Sequence, residues 1–464
     1  MIFKNGPLRA WVDIGDAVRR AEYLFPDNLC ADCDRYIFSN YIRWCSDEPF
    51  ATANSQIPQI NIWDDPDIMK GFGSYVDLFS RCSVLRGLGS IAYKYYCLFQ
   101  HHSAPPISCF YTDQPGTMTK VEIHGRCEDD SSTQTGWIFG TRPGPYISES
   151  SRSLYLRLGK RMAFIGVDTR TERTRRQINY PMTYEEIFSR LEFEALAADG
   201  EIKHLLFLLP TPIAYPRLAW LHSLFLSPLV GPFRFVAKRF GVFANLFNIF
   251  DGSVGFLDDI EDQYISRHHK KERLYLLQML QAFSVKHGIR VTILGGDVHL
   301  AALGRFYSNP RLGIPLSNDH RYMVNVISSA IRNRPPPKGV ADLLARRCKI
   351  HHLDASTDES MFEIFGHNPG GQKNSSDENK TIMPSRNFTV ISENTAQSIE
   401  GLQQDLTIEL PKSTTKGFGL DAAAVDKEIL DSEMFGGLKV EVMVEIESLD
   451  SEGKTRGYKF DSES

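Results

Sequence analysis

The sequence predicts an α/β fold, and three observations carry that prediction. Short apolar runs recur along the middle of the chain: MAFIG within Arg161–Asp168, HLLFLL at His204–Leu209, VTIL at Val291–Leu294 and YMVNVI at Tyr322–Ile327. Such runs of four to eight residues, bounded by turn residues, read as buried strands. Helical stretches with one apolar face stand between them, at Tyr184–Ala198 and at about His268 to His287. Charged residues gather directly after several of the runs, and in open α/β sheets ligands bind at the carboxyl ends of strands.

The totals fit one large domain or two ordinary ones: 464 residues, 42% of them hydrophobic. A formal net charge of -5 and a pI near 6.2 argue against a dedicated nucleic-acid binder. Eight cysteines are scattered without the dense spacing of a disulfide scaffold. Cys30-Ala-Asp-Cys33 is a lone CxxC, and zinc usually needs a second pair. The start, MIFKNGPLRAW, lacks the basic-then-apolar pattern of a signal peptide, so a cytoplasmic location is expected.

In chain order, residues 1–50 read as helical, with Trp11, Tyr23, Tyr41 and Trp44 as aromatic anchors. Gln59–Trp63 alternates polar and apolar residues and predicts a strand that runs into Asp64, Asp65, Pro66 and Asp67. A carboxylate cluster is costly unless cations neutralise it. An Asx-rich turn in water explains it equally well. Ile91–His102 is aromatic and ends in two histidines, and residues 103–145 form an irregular excursion with a short strand at Trp137–Phe139. Arg161–Asp168 is a strand ending in a carboxylate, followed by four arginines within Arg170–Arg176. Arginine forks suit bidentate phosphate binding, although a solvated basic loop would look the same. Helix Tyr184–Ala198 is stopped by Gly200, and HLLFLL follows as a strand buried on both faces.

Leu218–Phe250 is strongly apolar, but Pro228 and Pro232 interrupt it, short of the ~20 residues a span needs. Arg234, Lys238 and Arg239 interleave with phenylalanines, which suits peripheral membrane contact through 218–250 or a core-packing insertion. After helix 268–287, strand Val291–Leu294 hands over through Gly295 and Gly296 to Asp297 and His299. That pair fits either a capped turn or a metal site. Tyr322–Ile327 is a strand ending in serines, Val340–Arg346 is a short helix, and Ser356 with Glu359 predicts a capping box for a helix through Phe365. His367–Lys380 has the composition of a linker. Arg386–Ile391, Leu406–Leu410, Leu438–Glu447 and RGYKF predict a small β-rich C-terminal appendix.

Asp64–Asp67, Asp168 with Arg170, and Asp297 with His299 together describe an anionic metal nest beside cationic anchors. A phosphoester-cleaving site requires that combination. Hard oxygens and imidazole suit calcium, iron, manganese or zinc.

The stretches NIWDDPDIMKGFGSY, GVDTRTERTR, LDDIEDQYISRHHKKER, RVTILGGDVHLAALGRFYS and YMVNVISSAI occur in order. With them the chain resembles, over roughly residues 5–395, the fungal PhoD-like phosphatase domain of the metallophosphoesterase superfamily. The resemblance implies a β-sandwich core flanked by helices, metal ions at the strand ends, and a phosphate ester substrate. With the composition beyond it, the expected division is a phosphatase domain over 1–366, a flexible linker over 367–385, and a β-rich segment over 386–464 packing on the core. It implies metal-ligand roles for Asp64, Asp65, Asp297 and His299, and a phosphate-facing Arg170. Pro66 stands where the family has histidine, Asp262-Gln263-Tyr264 lacks an imidazole, and the early Gly-Gly-Asp-Gln motif has no counterpart, as if the domain were N-terminally incomplete. These departures imply reduced activity, or alternatively an inactive relative that acts by binding or at a membrane surface.

Overall fold

Among the described residues, ten strands form the main sheet: β1 (Trp137–Pro143), β2 (Ser150–Leu158), β3 (Met162–Gly166), β4 (His204–Leu209), β5 (Arg290–Gly295), β6 (Ala301–Ser308), β7 (Met323–Ser328), β8 (His351–His352), β9 (Thr357–Met361) and β10 (Ile382–Met383). Their order is β1-β2-β3-β4-β5-β7-β6-β9-β8, with β10 against β6. The sheet is mixed: β5 and β7 are parallel, whereas β6 runs antiparallel to both β7 and β9. A second sheet of three antiparallel strands, β11 (Asn387–Glu393), β12 (Leu438–Glu445) and β13 (Thr455–Asp461), has β12 at its centre. The expected α/β class, with a β-rich C-terminal appendix, is what the chain forms. This architecture comes from a computed structural model that describes residues 6–106, 136–216, 262–375, 378–393, 437–447 and 453–461. Segment 218–250 and the expected strand Leu406–Leu410 lie outside the described residues. Among the described residues, no helix is long and apolar enough to cross a membrane.

The chain divides into two compact units. The first comprises Met1–Arg157, Phe164–Glu194 and Phe207–Met279. Its core is built on helices Asp27–Ser46 and Ser83–Tyr95. In the former, Cys33, Ile37 and Tyr41 are four residues apart and buried, so they form one apolar stripe. Burying a side chain such as Ile37 contributes about 1.5–3 kcal/mol. Cys33 is spent on packing, and burial pushes its thiol up to about 12, so it does not present a thiolate. Trp63, Phe72, Tyr93 and Tyr96 complete this core, with Trp63 stacked on Tyr96 at 4.6 Å.

The second unit comprises Leu158–Ala163, Ala195–Leu206 and Leu280–Ser464. Every second residue of β12 is buried, as a half-covered strand requires. Val440, Val442 and Val444 pack with Tyr458 onto Ala301 and Leu303 of β6 and Val324 and Val326 of β7. The small sheet therefore packs face to face on the large one. Residues 367–385 carry β10, whose Ile382 and Met383 are buried.

Two local expectations are corrected. Gln59–Trp63 is not a strand, because it finds no pairing partner; it is an extended approach to the short helix Asp65–Ile68. Ser356–Phe365 is not a helix, because Thr357–Met361 pairs as β9 between β6 and β8. Asp354 caps the turn that enters β9, accepting from the Ser356 and Thr357 amides at 2.8 Å.

Candidate active site

In the first unit the site grows from residues 64–74. Asp64 precedes the short helix Asp65–Ile68, and the Asp67 carboxylate accepts from the Asp64 amide at 2.9 Å. The same carboxylate accepts from Gln100 at 2.7 Å and from the Tyr41 hydroxyl at 3.2 Å. Asp67 is therefore consumed in holding the turn. Pro66 lies within the first turn, where its missing N–H costs nothing, and its side is exposed. Asp64 and Asp65 keep 17% and 9% of their side-chain surface open to solvent.

The Gly71 amide donates to Asp65 Oδ2. Gly71 and Gly73 have φ values of 76° and 92°, which only glycine adopts readily. A Cβ on Gly73 would lie 2.6 Å from Arg173 Cγ, so this turn is wrapped tightly against the arginine loop.

That loop follows β3. Asp168, fully buried, accepts from the Trp63 indole, the Arg152 amide and the Arg170 amide at 2.9 Å each, from the Thr171 amide at 3.0 Å and from its hydroxyl at 2.5 Å. With its oxygens saturated it organises the turn and has no room for a ligand. Arg170 is fully buried as well. Its Nε donates to Asp64 Oδ1, its Nη1 to the Phe72 carbonyl at 3.1 Å and to Asp262 Oδ1 at 2.8 Å, and its Nη2 to Asp262 Oδ2. Four of the five N–H donors of a guanidinium are thus committed to protein acceptors.

Asp262 also takes the Ser74 hydroxyl and lies 3.1 Å from Arg173 Nη2. Burial disfavours its charge, but the Arg170 and Arg173 guanidiniums outweigh that and hold its carboxyl below the ordinary range. Asp65 is in the opposite position. Burial pushes it well above the usual carboxylate range, Arg170 only partly offsets this, and Asp64 and Asp262 add to it. Asp64, Asp65 and Asp262 all lie within 3.9 Å of the Arg170 guanidinium, and Asp262 lies against Arg173 as well. Buried His269 is pushed down to about 2 by its burial and by Arg173, so it stays neutral.

In the second unit, Asp297 and His299 stand just past β5. Both adopt left-handed backbone, with φ values of 67° and 54°, which is uncommon outside glycine. Such strain persists where the surroundings over-determine it and clusters at functional sites. The His299 amide donates to Ser329 Oγ at 3.2 Å. Buried Asn387 latches that serine pair, accepting from Ser328 Oγ at 2.9 Å and the Ser329 amide at 3.0 Å, and donating to the Ser329 carbonyl at 2.7 Å.

The residues fit a hard cation. Asp64 and Asp65 are adjacent, each has one oxygen anchored by a protein donor, and each retains solvent exposure. A metal ion at Asp64 and Asp65 would favour the charged form of the Asp65 carboxyl, which burial disfavours. The sequence missed Ser74 and Asn387, read Arg173 only as one of four clustered arginines, and read Asp262 only as the remnant of a motif. The one signal for Asp262 was the density of acidic residues at 257–262.

The PhoD related phosphatase family model matches residues 2–121, 147–228 and 232–437. An uncharacterized protein of Saccharomyces cerevisiae is 37% identical over 390 residues, covering 77% of this chain and 53% of the yeast protein. The chain thus spans about half the length of that relative. No solved structure matches.

Proposed function

The chain belongs to the PhoD related phosphatase family, and on that premise we propose that it hydrolyses phosphate esters at a metal centre held by Asp64, Asp65, Asp297 and His299. The observation that carries the reading is the adjacent pair Asp64 and Asp65, each with one oxygen anchored by a protein donor and with 17% and 9% of its side-chain surface open to solvent. A bound divalent or trivalent ion supplies Lewis-acid polarisation of the phosphoryl group and a lowered pKa for water. Calcium, iron, manganese and zinc all suit these oxygen and imidazole donors.

In the reaction, the oxygen of water bonds to phosphorus, the ester P–O bond breaks, and the proton shed by water ends on the leaving alcohol. Arg170 acts on the substrate indirectly, because its donors are spent on orienting Asp64. Pro66 cannot donate a proton, so turnover of poor leaving groups is slow. Activated esters, which need no proton on leaving, are hydrolysed best.

The test is release of p-nitrophenol from p-nitrophenyl phosphate, and from its bis-ester, with added Ca²⁺, Mn²⁺, Fe³⁺ or Zn²⁺. Turnover that depends on the metal and is lost in Asp64→Asn and His299→Ala supports the reading. Turnover no greater than in those variants removes it. The second reading, an inactive relative that works at a membrane surface, is favoured by Pro66 and by the basic–aromatic alternation of 218–250. Vesicle flotation of the chain with and without that segment separates the two.

A further inference from the structure

We propose that the stretch from Ile331 to Ile350, in the second unit, is a docking surface for an anionic lipid bilayer. It is a different surface from 218–250, and it holds whether or not the chain turns over phosphate esters.

Charge and exposure carry the first half of the argument. Arg332, Arg334, Lys338, Arg346, Arg347 and Lys349 are all exposed, and Asp342 is the one acidic residue among positions 331–350. The whole chain has a formal net charge of -5, so this stretch is opposite in sign to the chain that carries it. Three aliphatic side chains stand among the cations: Ile331 is 76% exposed, Ile350 62% and Leu343 36%. An exposed aliphatic residue alone is ordinary. Set among cations it has the make-up of a membrane-surface element, in which the cations meet anionic headgroups while the aliphatic tips enter the acyl boundary. No aromatic side chain lies within 331–350, so the stretch has no platform on which nucleic-acid bases would stack.

The backbone holds these side chains out. Ala330 has a φ of 108°, a value an alanine rarely adopts, and its carbonyl accepts from the Asn387 amide at 3.3 Å. The Arg332 carbonyl accepts from Arg386 Nε at 3.1 Å. Pro335, Pro336 and Pro337 restrict the backbone that follows. Helix Lys338–Ala345 then packs on β10 with Ala341 and Leu344 buried, which leaves Leu343 and Arg346, about one turn apart, on the outward side. At the far end His351 pairs with Glu359 of β9. The exposed side chains therefore stand on a fixed backbone, and little order has to be imposed when they bind. Ala330 directly follows Ser329, which receives the His299 amide, so a docked bilayer lies beside the His299 loop.

The full chain is mixed with vesicles of phosphatidylcholine, alone or with phosphatidylserine, and binding is read by co-sedimentation at low and high salt. Binding that needs phosphatidylserine and weakens with salt is expected. A cation near an anionic bilayer is worth about fivefold in binding, so Arg334→Ala, Arg346→Ala and Lys349→Ala combined lower the affinity on the order of 100-fold. Arg334→Lys with Arg346→Lys keeps the charge and the affinity. Ile331→Gln with Ile350→Gln removes the aliphatic tips and lowers the affinity about 10-fold. No binding by the wild type overturns the proposal, as does wild-type affinity in the folded triple variant. Tighter binding to a DNA duplex or to polyglutamate than to the vesicles overturns it too, in favour of a nucleic-acid or acidic protein partner. If the triple variant does not fold by circular dichroism, the isoleucine pair decides, and unchanged affinity there overturns the proposal.

Discussion

Arg170 and Asp262 meet in a two-point ion pair, with Nη1 to Oδ1 at 2.8 Å and Nη2 against Oδ2, the guanidinium fully buried and the carboxylate 6% exposed. Ninety-two residues of sequence separate them. The pair ties the loop after β3 to the segment before helix Lys270–His287, and through Arg170 Nε it reaches Asp64. One buried contact thereby joins three distant stretches of the first unit.

Breaking this pair from one side leaves a buried charge unmatched. Arg170→Met is expected to cost about 3–5 kcal/mol. Arg170→Met with Asp262→Leu should cost less than the sum of the single losses, because the second change removes the orphaned carboxylate. Urea unfolding of the wild type, both single variants and the double variant measures this. Strictly additive losses would show that the two side chains act independently.

Asn387 is expected to act on the His299 loop from the small sheet. It brackets Ser329, which receives the His299 amide. Asn387→Ala leaves these buried groups unsatisfied, at a cost of about 1–3 kcal/mol. It should also shrink the rise in melting temperature that Mn²⁺ gives the wild type, since ligand stabilisation follows affinity. An undiminished Mn²⁺ shift in the variant would disconnect the latch from the metal loop.

His101 sets part of the acid limb of stability. Its ring stands edge-on to Tyr96 at 4.2 Å and to Trp137 at 4.5 Å. Burial and the Arg152 guanidinium push its pKa down to about 3. Between its ordinary value of 6.5 and about 3, the unfolded chain binds a proton that the folded chain declines. Stability is therefore full above about pH 6.5 and falls as pH drops towards 3. His101→Phe keeps the aromatic contacts and removes this dependence. The stability lost between pH 7 and pH 5, measured by urea unfolding, should be smaller than in the wild type. His269, pushed down in the same direction, keeps a residual slope. An unchanged slope would assign the acid limb elsewhere.

Much of the fold was legible before any coordinates. HLLFLL became β4 at the expected bounds, and helix Tyr184–Ala198 and the strands at 162–166, 291–294 and 323–327 appear within a residue or a few. Gly200 and Gly288 end their helices at φ values of 77° and 63°. Long apolar runs declare burial through their own periodicity. Where local signals were short, they misled: QINIW alternates like a strand but has no neighbour to pair with, and a capping pattern at Ser356 yields to the open edge of β6.

By itself the sequence determined the class of fold, the family and the residue types gathered after the apolar runs. Only the tertiary structure decided which charges are consumed. Asp168 is saturated by five donors and Asp67 by its own turn, Tyr41 and Gln100, whereas Asp64 and Asp65 each have one oxygen anchored and keep 17% and 9% of their side-chain surface open. Apolar burial is written in spacing along the chain, because it follows from the periods of helix and strand. The partner of a buried charge is set by which distant segment the packing brings within about 3 Å, and no local pattern encodes that.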